Sequence, residues 1–354
     1  MIGICQVGCG YWGGNIARNL AANERIRLVA FCERDQDRLT QFARRYRVAK
    51  TFTDYDAVVA DPEIEAVVIV TPSGRHYQQA AAALEAGKHV FVEKPLAETT
   101  EETLALALLA DERRCTLMVG HTFLYNNVVH EVKNLIERGE LGDVYYAYSQ
   151  RLNLGRFRND SDVLWTLAPH DLSIINYWFT GRPTRVSARG RSYVHRAHGV
   201  SEVCFAELDY SDGKSAYLHL SWLDPQKRRE MVIVGAQKML IYDDTNPDAH
   251  IRIYDKRAEV QHQSETADFA DFTTRLRAGD LVIPNIRLSE PLAVEIDHFI
   301  DCIMTGTRPR SDGWHGVEVV AALEALTRSM KADGNPVNVI YPAAPIHPVG
   351  KTAQ

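Results

Sequence analysis

Apolar residues along this chain follow two rhythms, and the rhythm changes once. Up to Gly120, short apolar runs alternate with amphipathic stretches. Ile2 to Val7 is a brief apolar run, a glycine-rich turn follows, and Asn15 to Leu20 has helical spacing. Arg27 to Cys32 is a second strand-like run, Gln36 to Tyr46 a second helix, and Asp54 to Val59 a short one. Ala66-Val67-Val68-Ile69-Val70 is almost purely β-branched, as expected of a strand buried on both faces. A helix from His76 to Ala86, a strand from His89 to Val92, a helix from Thr100 to Glu112 and a strand from Thr116 to Gly120 follow. Such alternation predicts an α/β unit with a doubly wound parallel sheet.

Beyond a helix spanning Asn126 to Arg138, the pattern turns to apolar–polar alternation. Strands are expected over Val144 to Leu152, Arg185 to Arg191, Glu202 to Tyr210, Ala216 to Trp222, Glu230 to Val234 and Met239 to Tyr242. Turns such as Ser211-Asp212-Gly213-Lys214 join them, the mark of an antiparallel sheet with one covered face. A helix from Pro169 to Phe179 interrupts the strands, and two more, Pro291 to Thr305 and Gly316 to Lys331, precede a proline-rich tail. The expected domains are a Rossmann unit over 1–121, an α+β unit with a large, mostly antiparallel open sheet over 122–335, and a surface tail over 336–354. An open sheet needs a cover, so a homodimer or homotetramer through it is expected.

Composition narrows this little but excludes some partners. Of 354 residues, 45% are hydrophobic and 24% charged, ordinary for a globular protein, and the net charge is −6. Without basic runs, nucleic acid and anionic membranes are not expected partners. Six scattered cysteines show neither metal-ligand spacing nor a disulfide framework, so no metal is expected and reduced thiols suit a cytoplasm. With a strand at the very start, no signal peptide is expected, and no apolar run approaches membrane-spanning length.

The candidate chemistry lies at strand ends. Gly8-x-Gly10-x-x-Gly13 between strand and helix fits a dinucleotide pyrophosphate. Gly8 allows the tight turn, Gly10 the approach of phosphates, Gly13 close helix packing, and the helix N-terminus an anion. Cys9 within the turn is expected to fill space. Glu33, after the second strand, suits a ribose diol and so favours NAD, while Arg34 and Arg38 beside it leave NADP open. Tyr11, Trp12, Thr71, Pro72, His76, Glu93 and Lys94 are the further expected coenzyme contacts. Lys94, directly after a buried strand, can hydrogen-bond a substrate oxygen and favour the oxyanion formed during hydride transfer; the structural alternative is a Glu93–Lys94 surface ion pair.

At these residues the sequence resembles the glucose–fructose oxidoreductase/inositol dehydrogenase (Gfo/Idh/MocA) family. The glycine motif, Thr71-Pro72 with His76, and above all Glu93-Lys94-Pro95 carry the likeness. It continues through Gly120-His121-Thr122-Phe123-Leu124-Tyr125-Asn126, Gly139 to Gly142, Leu164 to Asp171, and Gly313 with Glu324-Ala325. The resemblance implies NAD(P)-dependent oxidation or reduction at a secondary alcohol or ketone of a sugar or cyclitol. It makes Lys94 the residue that lowers the pKa of the reacting hydroxyl and His170 the general acid/base, a role a histidine suits near neutral pH. One position departs: Thr166 stands where the family pattern has an aspartate four residues before the histidine. Thr166 is expected at or near the N-cap of the helix opening around Pro169. Asp171, adjacent to His170 but turned about 100° away on a helix, is not a substitute.

Tyr125, Asn153, Arg156, Arg158, Thr166 and His170 are the expected substrate contacts. The basic segment Trp222 to Arg229, led by an aromatic residue, suits a sugar ring or base plus a phosphate, hence a nucleotide-linked sugar, and the resemblance implies C3 as the reacting position. His121 and His315 are read as structural. The alternatives are a dehydrogenase of free sugars or inositol, and an NAD(H)-binding sensor without turnover.

Overall fold

In a computed structural model the described residues are 1–155, 157, 161–196, 199–260 and 274–343. Contacts divide the chain into two compact units. The first comprises residues 1–126, 289–324 and 340–354, the second residues 127–288 and 325–339. Residues 289–324, expected in the second domain, thus pack with the first.

In the first unit the strands are β1 (Ile2–Val7), β2 (Ile26–Cys32), β3 (Lys50–Phe52), β4 (Ala66–Ile69), β5 (His89–Glu93) and β6 (Leu117–Gly120). Helices α1 (Gly13–Ala22), α2 (Gln36–Tyr46), α3 (Tyr55–Ala60), α4 (His76–Glu85) and α5 (Thr100–Arg113) connect them. All pairings are parallel, in the order β3-β2-β1-β4-β5-β6. The order reverses between β1 and β4, so the crevice outside their carboxyl ends is the place where a ligand binds a sheet of this kind. The β-branched run of β4 is buried throughout, at the sheet centre.

The second unit holds α6 (Asn127–Glu137), β7 (Val144–Leu152), α7 (Val163–Phe179), β8 (Pro183–Arg191), β9 (Val203–Tyr210), β10 (Ser215–Ser221), β11 (Arg228–Gly235), β12 (Met239–Asp243), β13 (Ile251–Val260) and β14 (Thr274–Val282). After α8 (Pro291–Thr305) in the first unit, α9 (Gly313–Lys331) and β15 (Val337–Asn338) complete the chain. The nine-stranded sheet runs β14-β13-β12-β11-β7-β10-β9-β8-β15, antiparallel except where β10 lies parallel to β7. Alternation along β7, β9 and β10 buries Ala147, Ser149, Arg151, Cys204, Ala206, Ala216 and Leu218 on the face that α7 covers. Tyr146, Phe205 and Tyr217 stand on the other face, with Phe205 56% exposed and stacked 4.2 Å from His219.

One expected boundary is corrected. The helix does not open at Pro169: α7 begins at Val163, capped by Asp162, whose carboxylate accepts from Trp165 N–H at 2.9 Å. Thr166 is therefore not the cap but lies within the first turns, its own N–H bonded to Asp162 O. Pro169 is buried inside the helix, where it costs one backbone hydrogen bond. Strands β13 and β14 lie where no strand was expected, because Arg252, Asp255, Lys256, Arg257, Arg275 and Arg277 give that hairpin the charged dress of a sheet edge.

Candidate active site

The glycine turn owes its shape to close approaches. Gly8 has φ +100°, and a Cβ there would lie 2.6 Å from Val70 O. A Cβ at Gly13 would lie 2.7 Å from Gly8 O. At Gly10 an added Cβ meets no atom within 4 Å, so nothing in the protein's own packing demands glycine there. That is the pattern of a cradle whose middle glycine serves a ligand. Trp12, at the N-cap of α1, supplies no side-chain cap; Asn15 N–H bonds Trp12 O at 3.0 Å, and the Gly13 and Gly14 N–H groups are the ones placed for an anion. Glu33 directly follows β2 and is bonded to this loop: its Oε2 accepts from Cys9 N–H at 2.8 Å and its Oε1 from Asp35 N–H at 3.2 Å. Burial, then the Glu33 charge, pushes the Cys9 thiol up to about 12, so Cys9 is a protonated space-filler as expected. Arg34 is exposed, while the Arg38 guanidinium is engaged at 2.9 Å by Asp35.

At the end of β4, Thr71 Oγ1 donates to Gln79 Oε1 at 2.6 Å, and Pro72 opens a 3₁₀ turn. His76 was expected to touch the coenzyme. Instead it is buried, with Nδ1 2.7 Å from Pro95 O and Nε2 2.8 Å from Thr71 O, so it ties the β4 and β5 ends together. Burial lowers its pKa, against the pull of the two carbonyls. Lys94 follows β5 and precedes a cis peptide to Pro95. Glu93 accepts from the Trp12 indole N–H at 2.5 Å, a bond that brings the glycine loop and the β5 end together. Burial pushes the Glu93 carboxyl up to about 7, opposed by Lys94 and by Trp12. Tyr11 is exposed in the loop.

Tyr125, expected against substrate, is a core residue of the first unit, 1% exposed, with its hydroxyl 2.8 Å from Ser311 Oγ. Burial drives its pKa up, so it stays a neutral phenol. His121 and His315 pack edge to face at 5.1 Å, both pushed down by burial, His315 to about 4.

In the second unit, Thr166 and His170 lie four residues apart on α7 and so share one face, the relation of the family's aspartate and histidine. Thr166 Oγ1 donates weakly to Ser161 Oγ at 3.4 Å. Asp171 points elsewhere: its Oδ1 accepts from Arg151 Nε at 3.0 Å and Nη2 at 2.7 Å, both residues buried. Burial pulls the Arg151 pKa down, but Asp171 more than offsets it. Asn153 is exposed at the end of β7, its N–H bonded to Ser221 O. Arg156 and Arg158 lie outside the described residues. The basic segment is less open than expected. Trp222 is 4% exposed, Arg228 donates to Gln150 at 2.9 Å, and Arg229 pairs with Asp244 at 3.2 Å.

Two features had escaped notice, and both carry a signal in the pattern. Glu295 is fully buried on α8, with Oε2 accepting from Thr122 Oγ1 at 2.7 Å. It stands between Leu292 and Phe299 at helical spacing, on the apolar stripe. Arg151 likewise occupies an inward position of β7, in step with Ala147 and Ser149.

Sheet order, glycine turn and terminal acid define a dinucleotide-binding Rossmann protein with an added α+β unit. Residues 2–121 match the model described as "Oxidoreductase family, NAD-binding Rossmann fold", and 129–241 match the "GFO/IDH/MocA C-terminal domain". The chain belongs to the Gfo/Idh/MocA family of oxidoreductases and binds NAD through its first unit. It is 28% identical over 317 residues to UDP-N-acetylglucosamine 3-dehydrogenase of Acidithiobacillus ferrooxidans, across 89% of this chain and 93% of that one. The solved structure of that dehydrogenase superposes with TM-score 0.75 at 27% identity, covering 94% of this chain and 99% of the other. Similarity to scyllo-inositol 2-dehydrogenase (NAD(+)) of Bacillus subtilis is 25% over 315 residues, covering 86% and 87%. Among the described residues no helix is long and apolar enough to cross a membrane.

Proposed function

We propose that this oxidoreductase transfers hydride between NAD and a ring CH–OH or ketone of a sugar, carried on a nucleotide and reacting at C3. The observation that supports this most is the end of β5, where Glu93, next to Lys94, is joined to the glycine loop by the Trp12 indole. NAD is bound by the Gly8–Gly13 loop and the α1 N-terminus at its pyrophosphate, by Glu33 at its ribose, and by Tyr11, Thr71, Pro72 and Glu93 around them. NAD supplies the hydride acceptor. Lys94 hydrogen-bonds the reacting oxygen and favours its anionic form, and His170 takes or returns the hydroxyl proton. Thr166 cannot charge-stabilise an imidazolium as an aspartate does, so His170 gains orientation at most from that position. NAD is favoured over NADP because Glu33 repels a 2′-phosphate and Arg38 is held by Asp35. The similarity to a UDP-N-acetylglucosamine 3-dehydrogenase supports the nucleotide sugar and the C3 position.

A second reading, oxidation of free sugars or inositols, is favoured by the pairing of Arg228 and Arg229 within the sheet, which leaves fewer free cations for a diphosphate. Incubation with NAD and a panel of UDP-sugars, TDP-sugars, free hexoses and inositols, read by reduced-coenzyme absorbance, separates the two. Turnover confined to activated sugars supports the first, and turnover confined to free polyols replaces it with the second. For the open face bearing Tyr146, Phe205 and Tyr217, a central and largely aromatic patch, we propose a second copy of this chain as the cover.

A further inference from the structure

Strand β5 ends in two charged residues, and the reaction above engages only Lys94 directly. Glu93 is half-buried at the end of β5, with both carboxylate oxygens engaged. Its Oε1 accepts from the indole of Trp12, 81 residues away in sequence, at 2.5 Å, and its Oε2 faces Lys94 N–H at 3.3 Å. Against it lies the end of β6: a Cβ at Gly120 would stand 3.2 Å from Glu93 Cδ. From α8 comes Glu295, fully buried, held by Thr122 through Oε2, with Oε1 making no hydrogen bond among the described residues. Beyond Lys94 are His121 and, in edge-to-face contact with it, His315.

We propose that Glu93 is a positioning residue whose carboxylate ties the glycine-loop Trp12 to strand β5 and supplies the negative charge beside the Lys94 ammonium, and which releases both on taking up a proton. The proposal rests on the reading of Lys94 given above. The proton comes from solvent and rests on a Glu93 oxygen, and no bond to carbon forms or breaks. An ionised acceptor makes a hydrogen bond roughly twice as strong as a neutral one, so protonation loosens the hold on Trp12 and with it the loop that cradles the coenzyme.

Burial shifts the groups that face Glu93 as well. Burial, reinforced by the charge of Glu93, pushes Glu295 well up. Burial likewise keeps His121 and His315 neutral. Glu93 itself, pushed up by burial to about 7, is the group poised to change.

The test follows the Trp12 indole N–H proton by NMR in protein free of coenzyme, assigned by its loss in Trp12→Phe. The resonance is expected to lie downfield at mildly alkaline pH and to move upfield on acidification with a midpoint near 7. The shift should vanish in Glu93→Gln and persist in Glu295→Gln, whose amide mimics the neutral acid. A Trp12 resonance that does not titrate in the unaltered protein overturns the proposal, whether or not Glu93→Gln folds. So does a titration that survives in Glu93→Gln. No substrate is involved, so a failure here leaves the dehydrogenase reading standing, and a failure of turnover leaves this result standing.

Discussion

At the scale of single residues, enclosure decides which groups can do chemistry. Cys9 sits in the coenzyme loop yet is held protonated by burial and by Glu33, and Tyr125 is a neutral core phenol. His315 shows the same effect as a stability term. Burial pushes it from 6.5 to about 4, so the folded protein resists a proton that the unfolded chain accepts. Stability is therefore intact above pH 6.5 and is lost as pH falls from there toward 4. By the lower end the loss amounts to about 3 kcal/mol. His315→Gln, which cannot titrate, should flatten this acid limb: in urea unfolding, the difference between the two proteins should change in favour of the variant as the pH drops. An unaltered difference at both ends of the window contradicts the burial argument.

At the scale of elements, α7 is held to β7 by the buried Arg151–Asp171 pair. Removing one partner strands a buried charge, whereas replacing both with apolar residues of similar size does not. Asp171→Leu is expected to cost about 3–5 kcal/mol, and addition of Arg151→Met to recover most of it. Equal losses in single and double variants, measured by thermal or urea unfolding, would contradict this account. The same helix shows what a sequence conceals. The β-branched run of β4, the amphipathic α2 and the alternation of β9 and β10 were legible because burial alone dictates their pattern. The start of α7 was not, because Pro169 imitates a helix opening, while the true cap, Asp162, lies seven residues before it. The charged β13–β14 hairpin hid for the opposite reason, since an edge need not be apolar. In the site, the glycine turn, Glu33 and the β5 end could be read directly. The links Trp12–Glu93 and Thr122–Glu295 join residues far apart in sequence and emerge only on folding. His76 and Tyr125 carried the right chemistry for a ligand, yet their polar atoms are spent on Pro95, Thr71 and Ser311.

At the scale of the whole molecule, a parallel sheet that binds NAD is followed in the chain by a nine-stranded sheet, one face of which is partly exposed among the described residues. Helix α7 covers one side; on the other, Phe205 and Tyr217 remain 56% and 40% exposed. If a second copy covers that face, a charge at its centre must be desolvated on association, at a cost of several kcal/mol. Light scattering should then show Phe205→Glu as monomeric where the unaltered protein is a dimer or tetramer, with circular dichroism unchanged. A variant that keeps the unaltered mass would place the interface elsewhere. The central claim, hydride transfer to NAD from a sugar carbon assisted by Lys94, is tested most directly with isotope. UDP-N-acetylglucosamine deuterated at C3 is incubated with NAD and the protein, and the coenzyme is recovered for mass spectrometry. The account predicts deuterium on the reduced nicotinamide with the unaltered protein and at least about a hundredfold less with Lys94→Ala, although that variant still binds NAD. Equal deuterium transfer by Lys94→Ala, or no reduced coenzyme from any nucleotide sugar, free sugar or inositol, would contradict it.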